Sequence, residues 1–249
     1  ENKKIIMNLQ NLYKLPLKAL GKKARSLRKA EIIHIKTKTP LEKRKRLSGF
    51  ARGLQILYWL APRRAPILAS MYLWFRYADD VIDQDRPHGM GISDFLKSKQ
   101  SLINGMRNPS LQKEVECEEA DILLVHAQRL GSHYGFDLIA NIEDIFITML
   151  FDADRSGLLD ARLSTFFKAE RPRNPLVLTE EEMSWYFRTL DEATVQATLL
   201  ISGEKGITVK DVDGLNRATR CHYNARDAYE DFFTKEGILN FTDKEIKEF

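Results

Sequence analysis

Apolar residues recur along this chain mostly at steps of three and four, the spacing of a helix that buries one face. Between Leu138 and Leu150, the residues Leu138, Ile142, Ile145, Phe146, Met149 and Leu150 form a wide apolar stripe suited to a bundle core. Thr179 followed by Glu182 has the form of a capping box and predicts a helix running towards Ser202, with Gly203 and Gly206 as stops. Thr242 with Glu245 repeats that signal near the end. Breakers at Pro87–Gly91, at Asn108 and Pro109, and at Pro172–Pro175 separate helices without isolating a second core. Strand-like stretches are nearly confined to Ile32–Thr39 and Leu176–Leu178. The pattern predicts an all-α, single-domain helical bundle.

Composition adds limits. At 249 residues, 43% of them apolar, the chain is long enough to bury a sizeable core. Its two cysteines, Cys117 and Cys221, are too few for a zinc-ligand run or a disulfide framework, so a reducing, cytoplasmic setting is expected. The most hydrophobic region, Ile56 to Phe75, is broken by Pro62, Arg63, Arg64 and Pro66, and no membrane crossing is expected. Charge is segregated: residues 1–46 hold 15 Lys and Arg against three acids, and the remainder is net acidic. Residues 1–46 are therefore read as a basic N-terminal extension, and 47–249 as the domain. The extension, interleaved with leucines and isoleucines, suits either peripheral contact with an anionic membrane or a solvated, partly helical arm. No aromatic-basic recognition motif accompanies it, which argues against nucleic acid as a partner.

Two segments carry candidate chemistry. In Tyr72-Leu-Trp-Phe-Arg76-Tyr-Ala-Asp79-Asp80-Val-Ile-Asp83, helical spacing stacks Tyr72, Arg76, the Asp79/Asp80 pair and Asp83 along one side. In Asn224-Ala-Arg226-Asp227-Ala-Tyr-Glu230-Asp231, the residues Asn224, Asp227 and Asp231 share a face. Carboxylates one turn apart repel, and a cation between them relieves that. Magnesium suits such a site because it takes a few carboxylates, keeps several waters and bridges to phosphates. Two such helices around a diphosphate would neutralise it and make it a leaving group, and a dry pocket would protect the resulting cation. His126, His133 and His222 suggest no metal cluster and are read as structural. Each acidic helix taken alone also reads as a solvated face.

These residues resemble the squalene and phytoene synthase family of head-to-head isoprenyl diphosphate synthases. Tyr72, Arg76, Asp79, Asp80 and Asp83 match the family's first motif, with Phe75 in place of Cys, and Arg226, Asp227, Glu230 and Asp231 match the second. Leu60-Ala-Pro-Arg-Arg64 and Gly237-Ile-Leu-Asn-Phe-Thr242 look like the flanking segments. The resemblance implies an isoprenoid-synthase bundle with a central cavity that joins two prenyl diphosphates, farnesyl or geranylgeranyl, and releases diphosphate. It implies Mg2+ held by Asp79, Asp80, Asp83, Asn224, Asp227 and Asp231, diphosphate held by Arg52, Arg76 and Arg226, and Tyr72 lining the site near the cation. It also implies that a terminal helix or two lies beyond Phe249. Asp191-Glu-Ala-Thr-Val-Gln196 stands where the family has a small-residue stretch, and Asn224 stands one place late. These departures keep open a terpene cyclase or diphosphate lyase acting on one prenyl diphosphate. A non-catalytic relative serving as an assembly or scaffold protein is the third reading, against which both Asp pairs are retained.

Overall fold

The computed structural model describes residues 7–38, 56–155, 177–202 and 239–242, together with Asp211, Asp213, Gly214 and Ala218. Of these, 79% are helical and 3% lie in strands, so the fold is all-α. The chain divides into two compact units, Glu1–Ile139 with Leu200–Glu204, and Ala140–Leu199 with Lys205–Phe249. Among the described residues no helix is long and apolar enough to cross a membrane.

In the first unit, β1 (Met7–Asn8) pairs antiparallel with β2 (Glu116–Cys117), Met7 opposite Cys117. Asn8 then caps α1 (Leu9–Lys14), its Oδ1 accepting the Gln10 N–H at 2.8 Å. Leu9 and Leu12 of α1, and Leu20 and Ala24 of α2 (Leu17–Lys38), are all fully buried. Residues 7–38 are thus built into the unit instead of extending from it, as the count of basic residues had suggested. A thin apolar stripe suffices to dock a helix whose other faces are cationic. The strand expected at Ile32–Thr39 is corrected too: residues 32–38 continue α2, with Ile32 and Ile33 exposed. β-Branched propensity is a weak preference, and extending an existing helix adds a hydrogen bond per residue.

Pro66 occupies the first turn of α3 (Ala65–Ile82), where its missing N–H costs nothing. α3 buries Ile67, Leu73, Trp74 and Val81 and shares its largest interface with α5 (Asp121–His133), which also backs α2. α4 (Ile92–Arg107) meets α1 at Gly105, where a Cβ would stand 2.8 Å from Leu9 Cδ2 and 2.9 Å from Val115 Cγ2, so only glycine lets these elements approach. α3 ends on Asp83, followed by Gln84 at φ 61°, a left-handed conformation that a side chain disfavours. Gln84→Gly is expected to raise stability by about 0.5–1 kcal/mol, read as a higher urea midpoint at unchanged slope.

In the second unit, α6 (Ile139–Arg155) and α7 (Glu180–Ser202) supply an aromatic core of Phe151, Tyr186 and Phe187. Tyr186 donates its hydroxyl to Asp152 Oδ2 at 2.7 Å, and Asn141 Nδ2 donates to the Ala193 carbonyl at 3.2 Å. The expected capping box is present in both directions: Thr179 N–H donates to Glu182 Oε2 at 2.9 Å, and Glu182 N–H to Thr179 Oγ1 at 3.1 Å. β3 (Val177–Leu178) pairs parallel with β4 (Leu239–Thr242).

Candidate functional site

The first acidic motif lies on the last three turns of α3, and its residues differ sharply in exposure. Asp80 is 3% exposed, the Asp79 side chain is 46% exposed, and Asp83 is exposed at the helix end. Tyr72 and Arg76 are half-buried. Arg76 Nη1 donates to Asp79 Oδ2 at 2.7 Å and Nη2 donates to Asp80 Oδ1, so one guanidinium spans two carboxylates at i+3 and i+4. Burial alone would lower the Arg76 pKa, but the charges of Asp79 and Asp80 outweigh it and raise it. The repulsion inferred from the spacing of the acids is therefore partly relieved by Arg76 itself. Arg76 Nε is buried and has no hydrogen-bond partner among the described residues.

The helix end is held from outside. The Arg86 N–H donates to the Asp80 carbonyl at 2.8 Å, while its guanidinium forks onto Glu31 of α2 at 2.7 and 3.1 Å and lies 4.4 Å from the Tyr77 ring centre.

Behind this face runs a buried ionic network. Lys99, fully buried on α4, donates to Asp121 Oδ1 and Oδ2 at 2.8 and 2.9 Å and to Glu118 Oε1. Trp74 Nε1 of α3 donates to Asp121 Oδ1 at 2.9 Å. His88 Nδ1 accepts the Met90 N–H at 3.2 Å, which leaves the ring hydrogen on Nε2 to donate to Glu118 Oε2 at 3.0 Å. Burial would raise the Glu118 pKa, but the Lys99 charge and the hydrogen bonds from Lys99 and His88 hold it down at about 2. Cys117, buried beside Asp121, has its thiol pushed up to about 12, chiefly by burial, so it is not a nucleophile.

A second buried chain links α2, α3 and α5. Arg28 Nη1 donates to Ser70 Oγ at 2.7 Å, and Ser70 Oγ lies 3.1 Å from His126 Nδ1. Ser70 accepts from Arg28 and has a second lone pair and a hydrogen left, so it pairs with the His126 ring in either tautomer. Burial, then the charges of Arg28 and Arg129, lower the His126 pKa from 6.5 to about 4. Between those two values the unfolded chain takes up a proton that the folded one refuses. The stability due to the neutral ring is thus complete above pH 6.5 and is lost as pH falls towards 4, by up to about 3 kcal/mol. Urea unfolding at stepped pH is expected to show this slope, and His126→Gln to flatten it.

Of the residues singled out from sequence, Tyr72, Arg76, Asp79, Asp80 and Asp83 come together on one helix end. Arg52, Asn224, Arg226, Asp227 and Asp231 lie outside the described residues. Sequence reasoning passed over Lys99 and the Ser70–His126 pair. Lys99 carried a signal, since Phe95, Leu96, Leu102 and Ile103 at helical spacing place it on the apolar face of α4. The chain matches no family model, no curated protein and no solved structure.

Proposed function

We propose that this chain is a magnesium-dependent enzyme of prenyl diphosphate chemistry, of the kind performed by squalene and phytoene synthases. The observation that carries the reading is the outer end of α3, where Asp79 and Asp83 reach solvent one turn apart beside an Arg76 whose buried Nε–H has no partner among the described residues. Two accessible carboxylates at that spacing suit a hard cation that keeps most of its water. A diphosphate oxygen would be an acceptor for that guanidinium.

Asp79 and Asp83 would hold magnesium, with Asn224, Asp227 and Asp231 as the second set the reading requires. When bound, the metal supplies charge neutralisation that lets diphosphate leave. Asp80, buried against Arg76, fits a positioning role better than a ligand role. Arg76, with Arg52 and Arg226, would orient the diphosphate, and Tyr72, one turn before Arg76, would face the allylic end. The substrates would be farnesyl or geranylgeranyl diphosphate, and the cationic side of α2 would keep the enzyme peripheral on an anionic surface.

A second reading has an observation of its own. Since Arg76 already neutralises Asp79 and Asp80, the motif can serve as a helix-stabilising ion pair in a non-catalytic relative. Incubation with each prenyl diphosphate and magnesium, followed by mass spectrometry, separates the three possibilities. Joined hydrocarbons are expected; a product from one prenyl unit indicates a cyclase or lyase, and unchanged substrate at folded protein supports the non-catalytic relative.

A further inference from the structure

Away from the acids of α3, a cleft of about 480 Å³ opens where α2 meets the C-terminal end of α5. Its described lining includes Lys18, Lys22, Arg25 and His133 and contains no acid. Lys18, Lys22 and Arg25 follow one another at steps of four and three, so they rise along one side of α2. None of the three makes an ion pair among the described residues. Gly21 leaves the floor between them bare: a Cβ there would lie 3.4 Å from His126 Nε2. That ring nitrogen makes no hydrogen bond among the described residues, which leaves it open to a ligand at the floor. Arg28 lies behind it, 8% exposed. These cations press on one another: beyond the effect of burial, Arg25 lowers the Arg28 pKa, and Arg28 lowers that of His126.

We propose that this cleft binds a phosphate-bearing ligand. A phosphate dianion offers several acceptor oxygens to the Lys18, Lys22 and Arg25 donors at the rim, and the His126 ring at the floor, in its Nε2–H tautomer, adds a directional contact. The volume exceeds that of a bare phosphate, and Leu17 and Leu130 in the wall provide apolar surface for an organic group or the base of a lipid headgroup. The site shares no residue with the acidic end of α3, so it stands or falls apart from the proposed catalytic role.

The test uses the full chain in excess chelator, so that carboxylate-bound metal cannot recruit the probe, with inorganic pyrophosphate titrated by calorimetry. Lys22→Glu/Arg25→Glu is expected to weaken binding by about tenfold or more. Lys23→Glu/Lys29→Glu, the same charge change on exposed residues outside the lining, is expected to change it by about twofold at most. Gly21→Leu, which fills the floor without altering charge, is expected to match the first variant. A co-sedimentation arm compares phosphatidylcholine vesicles carrying phosphatidic acid with vesicles carrying the same share of phosphatidylglycerol. Preference for phosphatidic acid, competed by pyrophosphate, identifies a lipid phosphomonoester; pyrophosphate binding without that preference identifies a soluble phosphate compound. Equal losses in the two double variants would reduce the cleft to diffuse surface charge, and absence of binding to both probes would overturn the proposal outright.

Discussion

Lys99→Met is expected to destabilise the first unit by about 3–5 kcal/mol, a large fraction of what holds a typical domain folded. Methionine fills nearly the same volume, so the loss comes from charge: Asp121, 1% exposed, and Glu118 would be left buried without their ammonium. Trp74 and the Glu118 N–H still donate to Asp121, and His88 to Glu118, but neutral donors do not replace a cation. Acid titration gives an independent signature. In the wild type, Glu118 titrates near 2 when folded, against 4.5 in the unfolded chain, so its contribution is present above pH 4.5 and is lost as pH falls towards 2. Without Lys99 that contribution should vanish. Adding Glu118→Gln and Asp121→Asn to Lys99→Met should recover much of the loss, because neutral groups are far cheaper to bury than unpaired charges. Chemical unfolding of the three proteins at pH 7 and pH 3 checks both statements. A Lys99→Met protein as stable as the wild type would mean that the carboxylates are solvated.

The legible parts of this molecule were those governed by local rules. The capping box at Thr179 and Glu182, the stripe from Leu138 to Leu150 and the breaks at Pro87–Gly91 and Asn108–Pro109 each depend on residues within a few positions of one another, and each is found as expected. What failed was local preference set against context. Ile32 and Ile33 suggested a strand, yet they extend α2 with their side chains exposed, because the helix already running through Leu20 and Ala24 sets the backbone. The basic count over residues 1–46 concealed Leu9 and Leu12, whose burial depends on Val115 and α5, partners distant in sequence. The candidate site shows the same division. Helical spacing brought Tyr72, Arg76, Asp79 and Asp83 together correctly, but it could not separate a half-exposed Asp79 from a buried Asp80 one residue on. That distinction is made by the packing of α3 on α5, and it decides which acid reaches solvent.

Asp79→Asn and Asp83→Asn are each expected to lower turnover of a prenyl diphosphate by roughly a thousandfold, equivalent to about 4 kcal/mol of barrier, while leaving the protein folded. Stability should hold because Asp79 is half-exposed and Asp83 exposed, and exposed ion pairs contribute about 1 kcal/mol or less. The double variant should be little worse than either single one, since ligands of one metal act as a unit. Asp80→Asn should behave oppositely, losing stability first, because it withdraws a buried counter-ion from Arg76, whose side chain is only 16% exposed. Magnesium with pyrophosphate should raise the melting temperature of the wild type and do so less in Asp79→Asn and Asp83→Asn, and this measurement needs no knowledge of the true substrate. To keep the cationic cleft from contributing, it is made in the Lys22→Glu/Arg25→Glu background and compared with pyrophosphate in chelator. If magnesium adds nothing to the pyrophosphate effect, and Asp79→Asn matches the wild type in every assay, the acids of α3 serve Arg76 alone and the non-catalytic reading stands in place of the enzyme.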